Sequence, residues 1–114
     1  MGLDTSHDAW HGPYSSFNSW RVEIADKAGF PPLRSMYGFG GHIPWDDYLN
    51  HPLYELLNHS DCDGDIAWDK CKVIADALIE ILPKLEEIYM INKTTKFIKG
   101  LMLAYNQQEN LEFQ

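Results

Sequence analysis

The sequence predicts a mostly helical α+β fold. Two observations carry the prediction: three stretches place apolar residues at three- and four-residue steps, and short extended segments sit at the chain ends. Hydrophobic residues make up 45% of 114 positions, with four Trp, six Tyr and five Phe, so the chain is rich enough to fold as one domain over residues 1–114.

The N-terminal dozen residues hold Asp4, His7, Asp8 and His11 before the Gly12-Pro13 break. Ser15 or Ser16 then caps a first helix, whose core face is Phe17, Trp20, Ile24, Ala25 and Ala28 and which Gly29, Pro31 and Pro32 stop. Arg21 falls on that same apolar face, four residues after Phe17, and needs an acceptor or a snorkelling stem there. Residues 29–52 read as a long aromatic loop with glycines at 38, 40 and 41, placed to cover a site, with a short helical turn beginning at Pro44 or Trp45.

Residues 53–57 are ambiguous between a helical turn and a buried strand, and the strand reading is favoured. The second helix begins at Trp68, with a stripe of Cys71, Ile74, Ala75, Leu78, Ile81, Leu82, Leu85 and Ile88. Pro83 kinks or divides it, because proline removes a donor and crowds the preceding turn. Thr94 or Thr95 caps the third helix, with Phe97, Ile98, Leu101, Ala104 and Tyr105 facing the core and Gly100 marking a close helix contact. Residues 111–113 alternate apolar and polar, so they form a strand beside residues 2–4 or 53–57, giving a minor sheet of two or three strands.

Charge and cysteine content narrow the function classes. A net charge of −8 opposes phosphate-backbone binding and favours a basic protein partner or a metal cation. Two cysteines, Cys62 and Cys71, are too few for a secreted disulfide framework. No apolar run reaches membrane-spanning length and the N-terminus lacks signal-peptide character, so the expectation is a cytoplasmic protein with reduced thiols. The C-terminal ENLEFQ differs from a tag-cleavage sequence at the position that needs tyrosine, and is read as native.

Residues 58–65, NHSDCDGD, concentrate the chemistry. Asp61, Asp63 and Gly64 resemble the middle of a calcium loop, but the register puts His59 at its first ligand and Lys70 at its twelfth, so the EF-hand pattern fails at both ends. A mixed site for a divalent metal ion is the better reading, with His7, His11, His59, Asp61 and Asp63 as ligands and Asp4, Arg21, Cys62 and Gly64 organising it. Against it stands a plain reading in which His7 and His11 decorate a polar turn and the acids cap the second helix. Cys62 beside His59 suggests a thiol nucleophile, yet the surrounding carboxylates disfavour thiolate. Asp61 and Asp63 form a weak general acid/base pair. Arg21 either reaches the 59–65 turn and holds it or stands exposed at a helix edge.

A pattern runs through the chain: Gly2, Leu3, Asp4, Thr5, Ser6 and His7; then Trp10, Gly12, Tyr14, Phe17, Trp20 and Arg21; then His59 to Gly64; then Thr94, Phe97, Gly100, Leu101 and Ala104. On these residues the chain resembles a family of short bacteriophage and prophage proteins with no assigned activity or cofactor. The resemblance spans most of the chain outside residues 31–52. It implies an intracellular, phage-related origin and ties the His7 segment to the acidic turn. The resulting expectation is a small phage-type protein with a polar His/Asp site, metal-binding in its sharpest form. The alternatives are an acidic accessory protein for a basic partner and a purely structural polar turn.

Overall fold

A computed structural model describes residues 2–114. Strand β1 (Gly2–Asp4) turns through a 3-10 segment (Ser6–Asp8) into β2 (His11–Pro13), and the two pair antiparallel with Leu3 opposite Gly12. Helix α1 (Tyr14–Lys27) starts directly from Pro13, ahead of the expected Ser15 or Ser16 cap. The fixed φ of Pro13, −59°, ends the strand and sets the entry angle, so no side-chain cap is used. At the other end Phe30 N–H reaches Ala25 O and Gly29 takes φ +84°, a glycine-terminated helix end.

The loop over residues 29–52 packs down through its aromatics, as its composition predicts. Phe30 stacks on Tyr48 at 4.8 Å, and Trp45 donates its indole N–H to Tyr37 O at 2.8 Å. Residues 53–57 correct the strand expectation: helix α2 (Tyr54–Leu57) occupies them, with Leu53, Leu56 and Leu57 buried. Three apolar positions at one- and three-residue steps suit a helical turn as well as a strand, and packing decides.

Strand β3 (Asp65–Ile66) precedes helix α3 (Trp68–Ile81), which ends where Pro83 forces a 3-10 turn at Leu82–Lys84. Helix α4 (Ile88–Gln107) then begins well before the expected Thr94 or Thr95 cap. Both threonines sit mid-helix and bond back to the Met90 and Ile91 carbonyls at 2.7 and 2.8 Å, the alternative use of a hydroxyl to capping. Ile88, assigned to the apolar stripe of the preceding helix, is 75% exposed at the start of α4.

Strand β4 (Leu111–Glu112) pairs antiparallel with β3, Asp65 opposite Glu112, rather than with residues 2–4 or 53–57. The next residues do reach the N-terminus: Thr5 bridges Phe113, and Gln114 N–H donates to Asp4 O at 2.8 Å. The fold is thus a mostly helical α+β arrangement with two small antiparallel sheets joined at the chain ends. Helices α3 and α4 pack along each other, and an aromatic cluster of Trp10, Phe17, Trp20 and Phe97 fills the space beneath α1, with Trp20 and Phe97 4.9 Å apart. Among the described residues, no helix is long and apolar enough to cross a membrane. Cys62 is exposed and Cys71 buried, both as free thiols, and burial pushes Cys71 up to about 11.

Candidate functional site

Arg21 is the organising residue. Its side chain is 1% exposed, and its guanidinium lies over Phe17 at 4.7 Å and Phe39 at 5.2 Å. Nη1 donates to Leu56 O, Leu57 O and His59 O at 3.3, 3.4 and 2.6 Å, while Nη2 donates to Asn18 Oδ1. The head therefore does reach the acidic turn, through backbone carbonyls and not through an acid. Asn18 passes the contact on, donating Nδ2 to Asp61 Oδ2 at 2.8 Å.

Among the described residues no carboxylate forms a salt bridge with Arg21. Burial lowers its pKa to about 10 against the opposing charge of Asp61, so it stays cationic near neutrality. Nε is buried without a partner, and Nη2 makes one bond, so a buried cation carries unmatched donors. It lines a cleft of about 410 Å³ with Asn18, Gly38, Phe39, Asn58, His59, Ser60 and Asp61. The 29–52 loop thus closes one side of the cleft through Gly38 and Phe39, the covering role its glycines and aromatics suggested.

The five residues expected to ligate a metal do not converge. Among the described residues, no group of three or more His, Cys, Asp or Glu is placed to hold an ion. His59 and Asp61 share the Arg21 cleft, but both His59 ring nitrogens face carbonyl oxygens, Ser60 O at 2.7 Å and Asp65 O at 2.9 Å, and its ring lies 4.1 Å from Phe113. Asp63 is exposed and lines no part of this cleft. His11 sits elsewhere, with Nδ1 2.7 Å from Asp4 Oδ1 and Nε2 2.5 Å from Asp8 Oδ1; these bonds raise its pKa, so its ring is an ion-pair partner and offers no free lone pair. His7 contacts Ser6 and Glu109.

Helix spacing brought His7 and His11 together only on paper. His7 and Asp8 take φ of 59° and 57°, which turns the chain between them. The acids do not cap α3 either: β3 intervenes, and the Trp68 N–H is met by Asn110 Oδ1 at 3.0 Å. Gly64 has the expected turn role at φ +88°, and its carbonyl accepts Phe113 N–H. Among the described residues Cys62 hydrogen-bonds only with Ser60, its N–H meeting Ser60 Oγ at 3.2 Å, and no histidine or carboxylate hydrogen-bonds its thiol. Sequence reasoning missed Asn18 and Ser60; Asn18, three residues before Arg21 on one helix, carried a signal in its spacing.

No family model, no curated protein and no solved structure matches this chain.

Proposed function

We propose that the chain is a small ligand-binding protein whose site is the Arg21 cleft, and that the ligand is a compact zwitterion such as a free amino acid. One observation carries the reading: a buried guanidinium with unmatched N–H donors lines the same cleft as the Asp61 carboxylate. Unmatched buried donors cost free energy until an acceptor arrives, and a ligand carboxylate supplies two. Asp61 then meets the ligand ammonium, and Phe39 covers the apolar part. A cytoplasmic setting belongs to the same reading.

Saturation-transfer NMR with the free amino acids as probes tests this. Transfer to at least one of them, lost in Asp61→Ala while the fold is kept, is the expected result. Absence of transfer from all of them would overturn the zwitterion reading.

A second reading, an acidic accessory protein for a basic partner, draws support from Asp65 and Glu112, like charges placed opposite each other across β3 and β4. It predicts that a fluorescent lysine-rich peptide binds at low salt and is released by Asp65→Asn with Glu112→Gln. Equal affinity for the double variant would sink it.

A further inference from the structure

Ser6, His7 and Glu109 form a relay of side chains that lies apart from the Arg21 cleft. Ser6 Oγ is 2.7 Å from His7 Nδ1, and His7 Nε2 is 2.8 Å from Glu109 Oε1. A third contact bears on the direction of the protons. Glu112 N–H donates to Ser6 Oγ at 2.9 Å, which occupies one of its two lone pairs and leaves the hydroxyl proton free to point at Nδ1. Because the Glu109 carboxylate only accepts, Nε2 carries the proton in that bond, and in the neutral ring Nδ1 is then the acceptor. A hydroxyl, an imidazole base and an orienting carboxylate in hydrogen-bonded series are the parts of a serine nucleophile, here with the two ring nitrogens in exchanged roles.

The placement adds to the geometry. All three residues line one groove of about 600 Å³, together with Asp65, Gln108, Asn110 and Glu112. The His7 side chain is 9% exposed, so its ring is held, whereas Glu109 is 60% exposed and is not needed for the core. His7 also sits at φ 59° and ψ 20°, a left-handed conformation that a non-glycine residue adopts at a cost and that clusters at functional sites. The groove wall contains three carboxylates and neither Lys nor Arg.

We propose that Ser6 is the nucleophile of an esterase acting on carboxylic esters that carry a cationic group. His7 is its general base and Glu109 the positioning residue. Ser6 Oγ bonds to the ester carbonyl carbon as its proton passes to His7 Nδ1. The tetrahedral species then expels the alcohol, which takes that proton as the ester C–O bond breaks. Water adds to the acyl carbon, giving a proton to Nδ1, and the acyl bond to Oγ breaks as Oγ recovers it. The sum is ester plus water to acid plus alcohol, with no other reactant. Gln108 lines this groove and its carboxamide makes no side-chain hydrogen bond among the described residues, so it is the donor assigned to the oxyanion. Asp65 and Glu112 select the cationic group.

The test is covalent. Full-length protein is treated with a fluorophosphonate and mapped by mass spectrometry, and hydrolysis of lysine p-nitrophenyl ester is compared with that of p-nitrophenyl acetate. A single adduct on Ser6, faster turnover of the lysine ester and a loss of about a hundredfold or more in Ser6→Ala are expected. Glu109→Gln should keep the fold, slow both labelling and turnover, and alter the pH profile, which a merely structural contact would not do. Ser6→Ala also removes the acceptor for Glu112 N–H. If it unfolds, wild-type labelling and Glu109→Gln decide. No adduct on Ser6 in folded wild type, or turnover unchanged in Glu109→Gln, overturns the proposal.

Discussion

Ala9 rests directly on Gly100, so that a Cβ built on Gly100 would stand 2.7 Å from the Ala9 Cα and 3.1 Å from its nitrogen. The glycine in α4 lets the 3-10 turn at Ser6–Asp8 settle onto the helix and brings Trp10 into the aromatic cluster. Gly100→Ala should gain about 1 kcal/mol of helix propensity and lose about 1–3 kcal/mol to overpacking. The clash is with backbone, which cannot rotate away, so the loss wins. Chemical denaturation should give a lower midpoint, and an unchanged or raised midpoint would show that the turn moves freely off the helix.

Trp20 and Thr94 are joined in the core, the indole Nε1 donating to Thr94 Oγ1 at 2.8 Å, with Thr94 donating on to Met90 O. Both residues are fully buried, so water cannot substitute. Thr94→Val keeps the shape and strands the indole N–H, which costs about 1–3 kcal/mol. Urea unfolding should show that loss with an unchanged slope. Wild-type stability in the variant would mean that the indole finds another acceptor.

The His11 cluster makes stability depend on pH. Hydrogen bonds donated to Asp4 and then to Asp8 raise the His11 pKa against its desolvation, and the bond accepted from His11, with the charge of Lys96 3.6 Å away, lowers that of Asp8. For His11 the folded value lies above the unfolded one. Its contribution is therefore complete below about pH 6.5, the unfolded value, and is lost as pH rises through the folded value. For Asp8 the sign reverses, with stability present above the unfolded value and lost as pH falls through the folded one. The wild type minus His11→Gln difference in Tm should shrink as pH rises above about 6.5, the unfolded value. A difference that stays flat as pH rises from below that value to well above it would mean that the ion pair contributes nothing.

The fold was legible where periodicity and chain-breaking residues agree. The stripe from Trp68 to Ile81, the break at Pro83 and the stop at Gly29 all follow from local sterics. The strand reading at residues 53–57 failed because Leu56 and Leu57 are buried by tertiary contacts that local spacing does not encode. Thr94 misled for a related reason: a threonine that caps a helix and one that bonds back to its i−4 carbonyl look alike until the helix start is known. At the site, the residues alone left open whether Arg21 reaches the acidic turn or stands exposed; in the fold its guanidinium reaches that turn through backbone carbonyls. The His7 to His11 pairing failed, because it assumed a helical step where two successive residues take positive φ. The Ser6 to Glu109 relay spans nearly the whole sequence, and no local pattern announces it.

Arg21 gives the sharpest test of how the turn is held. Its planar fork reaches three carbonyls on one side and Asn18 on the other while lying between Phe17 and Phe39. Lysine offers one compact ammonium that cannot bond in both directions or stack flat on the rings, so Arg21→Lys should cost about 1–3 kcal/mol. Arg21→Met fills much of the volume but gives the Leu56, Leu57 and His59 carbonyls no donor, and it should cost more than lysine does. Removing a buried cation also removes its desolvation penalty, which offsets part of that loss, but here no carboxylate is left unpaired and the stranded groups are carbonyls. The stranded carbonyls therefore decide the sign. Hydrogen exchange adds the location: protection should fall first at residues 56–61 and little along α3. If Arg21→Met is as stable as wild type, with unchanged exchange at the turn, Arg21 does not hold it, and its burial must be explained by what the cleft binds.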